Sequence, residues 1–584
     1  MSVIGYAQSN FETLRLDKNV YIDRTGYIRT LENQSNKNVI FVRPRRFGKS
    51  LWLSMLHYYY GVEHKDKFET LFGDLEIGKN PTPLRNSYLI LTMQFAGIDV
   101  ETDDSTYQGF RRNVMTGIID CMNVYSDYFS QEEVDKIEAL DTPASMLQLF
   151  FSLYKNKKIP HKLYMLTDEY DQFANELVSF DTDRFRAIIG RSGYVRKYYE
   201  MIKNATYEGV VNRFFATGVS PLTVDALTSG FNITSSLGIE LEFHNLMGFT
   251  HDEVVAILKQ VGARDKDMPS IMKELKEWYN GYLFHEDAAD RLYNSDMVMY
   301  FAAHYEKSQK FPRRMLDANI ATDYSKVKKI FNIQQREEEF IPILKKLTTE
   351  GELFAQITDF FNLELDFTND DIISLLYYMG WLTIQDEVDG IWRFKMPNRV
   401  ISELYYDYFV SIGEREAGLN NIILKIRDAL DKLSKNNNPH PFLEIIKALI
   451  DKDLSLRDAQ RFDEKHLKML LIPYFSLSAA HYVKSEPEWG NMYPDLLLLK
   501  RPSINTRYNF IIELKYIKLS DKDKMVKAAE GGEERLTDKV AREARTQLAK
   551  YLTTDNAKRL ENLKAWVLIL VGREWQLVEE MPVD

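Results

Sequence analysis

The 584-residue sequence predicts an α/β protein of several domains: an N-terminal core on a parallel sheet, a helical and winged-helix-like middle region, and a smaller C-terminal α/β domain. Three observations predict this. A strand-like run at 38–42 enters a loop ending Gly48-Lys49-Ser50, and helical spacing follows from 51 to 60. Further apolar runs at 88–93, 162–167 and 213–218 are separated by helical patterns, as in a mostly parallel sheet. Far downstream, runs at 494–499 and 510–515 flank a polar turn at 501–505 and read as an antiparallel pair.

Composition narrows the function classes. A 45% hydrophobic and 13% aromatic content is that of a folded chain, too long for one core. The net charge of -11 argues against coating nucleic acid through overall charge and leaves local basic patches open. A single cysteine, Cys121, excludes a disulfide framework and fits a reducing compartment. No signal-like N-terminus and no apolar run of about 20 residues is visible, so a cytoplasmic location without membrane contact is expected.

Taken in order, residues 107–154 read as helical, with a capping start at Ser130. After about 247 the chain becomes helical at 252–261 and 270–279, where Gly281 marks a stop, and 325–365 continues helical and charged. A helix at 370–378, strands at 381–384 and 391–395 and a helix at 400–409 resemble a winged-helix module. Its apolar and acidic character favours packing over reading DNA. Helices continue from 419 to 450 around a polar loop at 435–439. The expected domains are therefore 1–246, 247–365, 366–410, a linker 411–455, and 456–584.

The strand, loop and helix at 38–60 have the residue types of a phosphate-binding P-loop, Arg46-Phe47-Gly48-Lys49-Ser50-Leu51 at its turn. Backbone N–H groups at a helix N-terminus attract phosphate, Lys49 can neutralise it, and the Ser50 hydroxyl can ligate Mg²⁺. The usual pattern wants glycine where this chain has Arg43. The strand at 162–167 then delivers Asp168 and Glu169, one to hold Mg²⁺ and one to orient the attacking water of ATP hydrolysis. Thr217 or Ser220, after the next strand, is a candidate sensor of the γ-phosphate.

These runs, with Tyr21-Ile22-Asp23-Arg24-Thr25, Thr167-Asp168-Glu169-Tyr170-Asp171, Gly248-Phe249-Thr250 and Trp278-Tyr279-Asn280-Gly281-Tyr282, resemble the bacterial AAA-ATPase-like family over roughly residues 1–410. The resemblance implies that an arginine at 43 is usual and that the helical and winged-helix-like section belongs to the same body.

In the C-terminal pair, Glu513 and Lys515 are two apart and share a face, and Asp495 can lie close by. Two carboxylates can bind Mg²⁺, while a lysine can position a water that attacks a phosphodiester. The pattern Pro-Asp followed by Glu-Leu-Lys resembles the PD-(D/E)XK nuclease superfamily, which implies a restriction-endonuclease-like fold. It further implies a metal-binding acid at Glu464 and, as in RecB-like members, a Gln-x-x-x-Tyr pair at Gln547 and Tyr551, one helical turn apart. Glu486 is a further candidate for the site, and the charged run 518–527 for phosphate-backbone contact.

The reading is an ATPase coupled to a Mg²⁺-dependent nuclease acting on DNA, with RNA as a second candidate and homo-oligomerisation open. The alternative is a nucleotide-dependent switch or assembly protein whose nuclease-like domain only binds nucleic acid or a partner.

Overall fold

The computed structural model describes residues 4–180, 182–189, 193–222, 233–317, 342–343, 346–347, 351–358, 361, 368–417, 421–453, 463–490, 492–501, 504, 506–518 and 536–583. The chain divides into two compact units, one comprising residues 1–310, 315–347 and 351–400, the other 311–314, 348–350 and 401–584.

In the first unit the runs read as strands are strands: β1 (Asn38–Val42), β2 (Tyr88–Gln94), β3 (Lys162–Asp168) and β4 (Val211–Gly218), joined by a two-residue β5 (Ser235–Ser236). They form one parallel sheet in the order β2-β3-β4-β1-β5. Parallel strands need long crossovers, here helices such as Lys49–Tyr60, Asp103–Val124 and Pro143–Asn156. All five β1 residues are buried, as expected for a strand covered on both faces. Ser130 caps its helix as expected, in a reciprocal capping box with Glu133.

The register places Asp168 beside Thr217 and Thr217 beside Phe41, all at the carboxyl ends of their strands. Ligands of open α/β sheets bind at that edge.

Two expectations in the middle region need correction. Residues 352–355, read as part of a helical run, are strand β6 (Glu352–Ala355); the rest of that run lies largely outside the described residues. The strand placed at 381–384 begins later, as β7 (Thr383–Val388), and pairs with β8 (Ile391–Lys395). β6 pairs with the other edge of β8, giving a three-stranded antiparallel sheet beside helix Asn369–Tyr378. Four residues carry little periodic signal, and a hydrogen-bonding edge decides them instead. Trp381 and Leu382 are buried just before β7 and serve the core.

The second unit carries a mixed sheet in the order β13-β12-β11-β10-β9: β9 (His481–Ser485), β10 (Leu496–Lys500), β11 (Asn509–Ile517), β12 (Leu563–Val571) and β13 (Glu574–Met581). Only β11 and β12 run parallel. Alternate residues feed two cores. Leu496, Leu498, Phe510, Ile512 and Leu514 pack with helices Ile422–Asn436, His440–Asp453 and Glu464–Ser476. Leu497, Ile511, Ala565, Val567 and Ile569 pack with helix Leu536–Leu552. Asp495 stands one residue ahead of β10.

Candidate functional sites

The loop after β1 turns on Gly48, whose φ of 97° lies in the left-handed region that glycine adopts without steric cost. Helix Lys49–Tyr60 starts there, so its free N–H groups face the loop. Lys49 is buried, and its Nζ donates to the carbonyls of Arg43 and Pro44, 2.9 Å each. Burial pulls the ammonium down to about 8, against the pull of Asp168, Asp171 and Glu169. Ser50 hydrogen-bonds to the Asp168 carboxyl, which burial raises above the ordinary range. Glu169 follows at φ 50°, a strained conformation for a non-glycine residue at a strand exit. Burial, then the neighbouring Asp168 charge, raises it as well.

Lys49, Ser50, Gly48, Arg45, Arg46 and Glu169 line a cavity of about 520 Å³. A helix N-terminus with three cationic side chains and the Glu169 and Asp171 carboxyls just past β3 suits a polyphosphate with its metal. Leu51 also lines it, while Phe47 buries its ring against Tyr282, with centroids 4.9 Å apart.

Neither sensor candidate lines this cavity. The Thr217 hydroxyl donates to Phe41 O at 2.9 Å inside the sheet, and the Ser220 hydroxyl is bonded to Asn175 at 2.6 Å and to Asp171 at 3.2 Å. Asp171, which does line it, accepts the N–H groups of Val219 and Ser220 and so ties the exit of β3 to that of β4.

Arg43 is fully enclosed. Its guanidinium donates to the carbonyls of Val42, Gly238, Phe243 and His244 and stacks on Phe284 at 3.9 Å. Arg43 therefore braces the loop from behind, where burial pulls its charge down to about 9. Arg46 pairs with Asp296 at 3.0 Å, and Asn294 donates to Arg45 O at 3.2 Å. The N-terminus of helix Ser295–Ser308 thus grips the loop crown, a support that sequence order could signal only as an ordinary Asn-Ser-Asp cap.

In the second unit, Glu513 and Lys515 project from one face of β11, with Lys515 Nζ 2.9 Å from Glu513 Oε1 and 3.3 Å from Glu464 Oε1. Glu464 reaches in from the first turn of helix Glu464–Ser476. Asp495 accepts the Leu514 N–H at 2.9 Å. Glu513 is fully buried, and neither of its oxygens receives a well-aligned hydrogen bond. Its carboxyl is pushed up to about 7, first by burial and then by Asp495. Burial works against the Lys515 charge, but Glu513 outweighs it and raises the ammonium. Gln547 Nε2 donates to Tyr551 OH at 2.6 Å, and that hydroxyl donates to Tyr493 O at 3.1 Å, beside the Pro494-Asp495 turn.

Lys468, one turn after Glu464, was missed by motif reasoning. It sits 2.6 Å from Asp495 Oδ1 and 2.7 Å from Glu486 Oε1, joining Glu486 to the cluster. Its i,i+4 spacing from Glu464 was the available signal. An enclosed carboxylate that is paired with Lys515 but lacks a well-aligned hydrogen bond, beside Asp495 and Glu464, is a donor set that fits a hard divalent cation.

Residues 5–228 match the family model described as a predicted AAA-ATPase. Residues 462–580 match that of the PD-(D/E)XK nuclease superfamily. The chain joins an AAA-ATPase-like domain to a PD-(D/E)XK nuclease superfamily domain. Such domains use nucleotide and divalent metal in general. An uncharacterized protein in the vnfD 5' region of Azotobacter chroococcum mcd 1 is 26% identical over 289 residues, 49% of this chain and 49% of that protein. The chain thus spans about half the length of this curated relative. The Walker-type ATPase PABY2304 of Pyrococcus abyssi aligns with 66% of this chain and 96% of its own, at 13% identity and a TM-score of 0.39.

The runs that carry the AAA-ATPase-like resemblance meet in space. Arg24 donates to Gly248 O and to Glu253 Oε2, 2.8 Å each, and Thr250 caps the helix that bears Glu253. No helix among the described residues is long and apolar enough to cross a membrane. The charged run beyond Lys518 lies outside the described residues.

Proposed function

We propose that the chain hydrolyses ATP in its AAA-ATPase-like domain and cleaves DNA phosphodiesters with Mg²⁺ in its nuclease domain, in the cytoplasm. The observation that carries the second half is Glu513: a fully buried carboxylate, paired with Lys515 at 2.9 Å but without a well-aligned hydrogen bond, placed beside Asp495 and Glu464. Asp495, Glu513 and Glu464 would hold the metal, which supplies charge stabilisation for the developing phosphorane. Lys515 holds an ammonium beside the attacking water, and Gln547 with Tyr551 positions the turn bearing Asp495. In the ATPase half, Arg46 to Leu51 would cradle the phosphates, Ser50 and Asp168 would hold Mg²⁺, and Glu169 would orient the water. Thr217 and Ser220 act by holding strand ends together. Functional boundaries are proposed at 246 and 365. Helices Ile422–Asn436 and His440–Asp453, expected as part of a linker 411–455, go with the C-terminal domain because they share the core of β10 and β11. Homo-oligomerisation, and RNA in place of DNA, are outcomes for experiment.

The test is a cleavage assay on DNA and RNA with Mg²⁺, with and without ATP, on wild type, Lys49→Ala and Lys515→Ala. Cleavage lost in Lys515→Ala and hydrolysis lost in Lys49→Ala are expected. Equal cutting by wild type and Lys515→Ala overturns the nuclease reading. Full ATP hydrolysis by Lys49→Ala overturns the P-loop reading.

A further inference from the structure

We propose that His57, Glu63 and His64 form a binding site for a zinc-type divalent cation, separate from the nucleotide and nuclease sites. His57 lies in the last turn of helix Lys49–Tyr60, and Glu63 and His64 lie on the short 3-10 helix Val62–Lys67 that follows. One ligand atom from each lies within 4.8 Å of the others.

The distances carry the argument. Glu63 Oε1 stands 3.3 Å from His57 Nε2 and 3.4 Å from His64 Nε2. A tetrahedral ion with ligands about 2.0–2.1 Å away has ligand-to-ligand edges of roughly 3.3–3.4 Å. An imidazolium–carboxylate pair would account for one imidazole on that oxygen. It does not account for the second, since His64 Nε2 faces the same oxygen at 3.4 Å without making a hydrogen bond. Both ring nitrogens of His64 are buried and make no hydrogen bond, a state that proteins rarely leave uncompensated.

The surroundings orient the three ligands. Tyr125 OH donates to Glu63 Oε2 at 2.7 Å, and Thr92 Oγ1 stands 3.3 Å from His57 Nδ1. With Nδ1 donating to that hydroxyl, His57 Nε2 carries the lone pair that faces Glu63. A Cβ at position 61 would lie 2.7 Å from Glu63 Oε1, so the carboxylate folds back over the chain because Gly61 has none. The negative end of the helix dipole falls on the same turn and favours a cation there. His57 and Glu63 line a cavity of about 480 Å³ with Gln94, Arg112 and Asp120. Three protein ligands leave a fourth position, which water from that cavity fills.

The experiment uses the full chain, loaded with Zn²⁺, desalted and assayed for bound metal. It compares wild type with Asp495→Asn/Glu513→Gln and with Ser50→Ala/Asp168→Asn, which remove the ligands of the other two proposed cation sites. One zinc per chain is expected to persist in both backgrounds. His57→Ala or His64→Ala is expected to lower zinc affinity on the order of 100-fold or more, and Tyr125→Phe by about 10- to 100-fold, the usual loss for an outer partner. X-ray absorption at the zinc edge on the Asp495→Asn/Glu513→Gln chain needs no change at the proposed site. Two imidazole nitrogens in its first shell are expected. A first shell of oxygens alone, no zinc in that background, or undiminished affinity in His64→Ala overturns the proposal.

Discussion

Replacing Glu513 by Gln isolates the charge of the buried carboxylate at nearly constant shape. In the folded chain the carboxyl is pushed from 4.5 to about 7. A carboxyl whose folded value stands above its unfolded one binds more protons folded than unfolded between those values. Stability therefore declines as pH rises from about 4.5 to 7 and stays lower above it. At 1.36 kcal/mol per pKa unit the charged form costs about 3 kcal/mol above pH 7, a ceiling that relaxation around the site reduces. In a metal chelator at pH 8, Glu513→Gln is expected to stabilise β10 and β11, and near pH 4.5 the two chains should be equal. With Mg²⁺ the order reverses, because wild type gains ligand-linked stability and the amide gains little. Hydrogen exchange of peptides from β10 and β11 reads this directly within the C-terminal unit. Lower protection of Glu513→Gln than wild type at pH 8 in chelator would refute the charge-strain reasoning. Equal Mg²⁺ protection of both chains would remove Glu513 from the metal site.

Arg43→Ala strands the carbonyls of Gly238, Phe243 and His244 and is expected to destabilise β1 by about 3 kcal/mol, measured by hydrogen exchange of β1 peptides. Lys468→Met keeps the stem but removes the ammonium that competes for Asp495; the Mg²⁺ concentration that half-protects β11 should fall by roughly tenfold, the equivalent of one pKa unit of interaction. Thr217→Val should cost about 1 kcal/mol through the lost bond to Phe41 O while leaving the KM for ATP unchanged; a rise in KM would return Thr217 to the phosphate site. Lys49→Ala should lower ATP hydrolysis by on the order of 10²-fold or more, followed by phosphate release.

Local sequence determined much of this protein. Strands β1 to β4 were legible because parallel strands buried on both faces read as unbroken apolar runs, and Gly48-Lys49-Ser50 because a strand-to-helix phosphate loop is contiguous. Glu513 and Lys515 were legible because a strand has period two. Tertiary structure alone decided the rest. Arg43 stands where a glycine was wanted, and only the carbonyls of residues some 200 positions away show that it braces the loop. β6 is too short for a periodic signal and exists because β8 offers it an edge. Lys468, Asp171 and the convergence of His57, Glu63 and His64 depend on distances that no local pattern encodes. Side chains that meet across a turn or between strand ends are brought together by packing, and packing energy belongs to the whole fold.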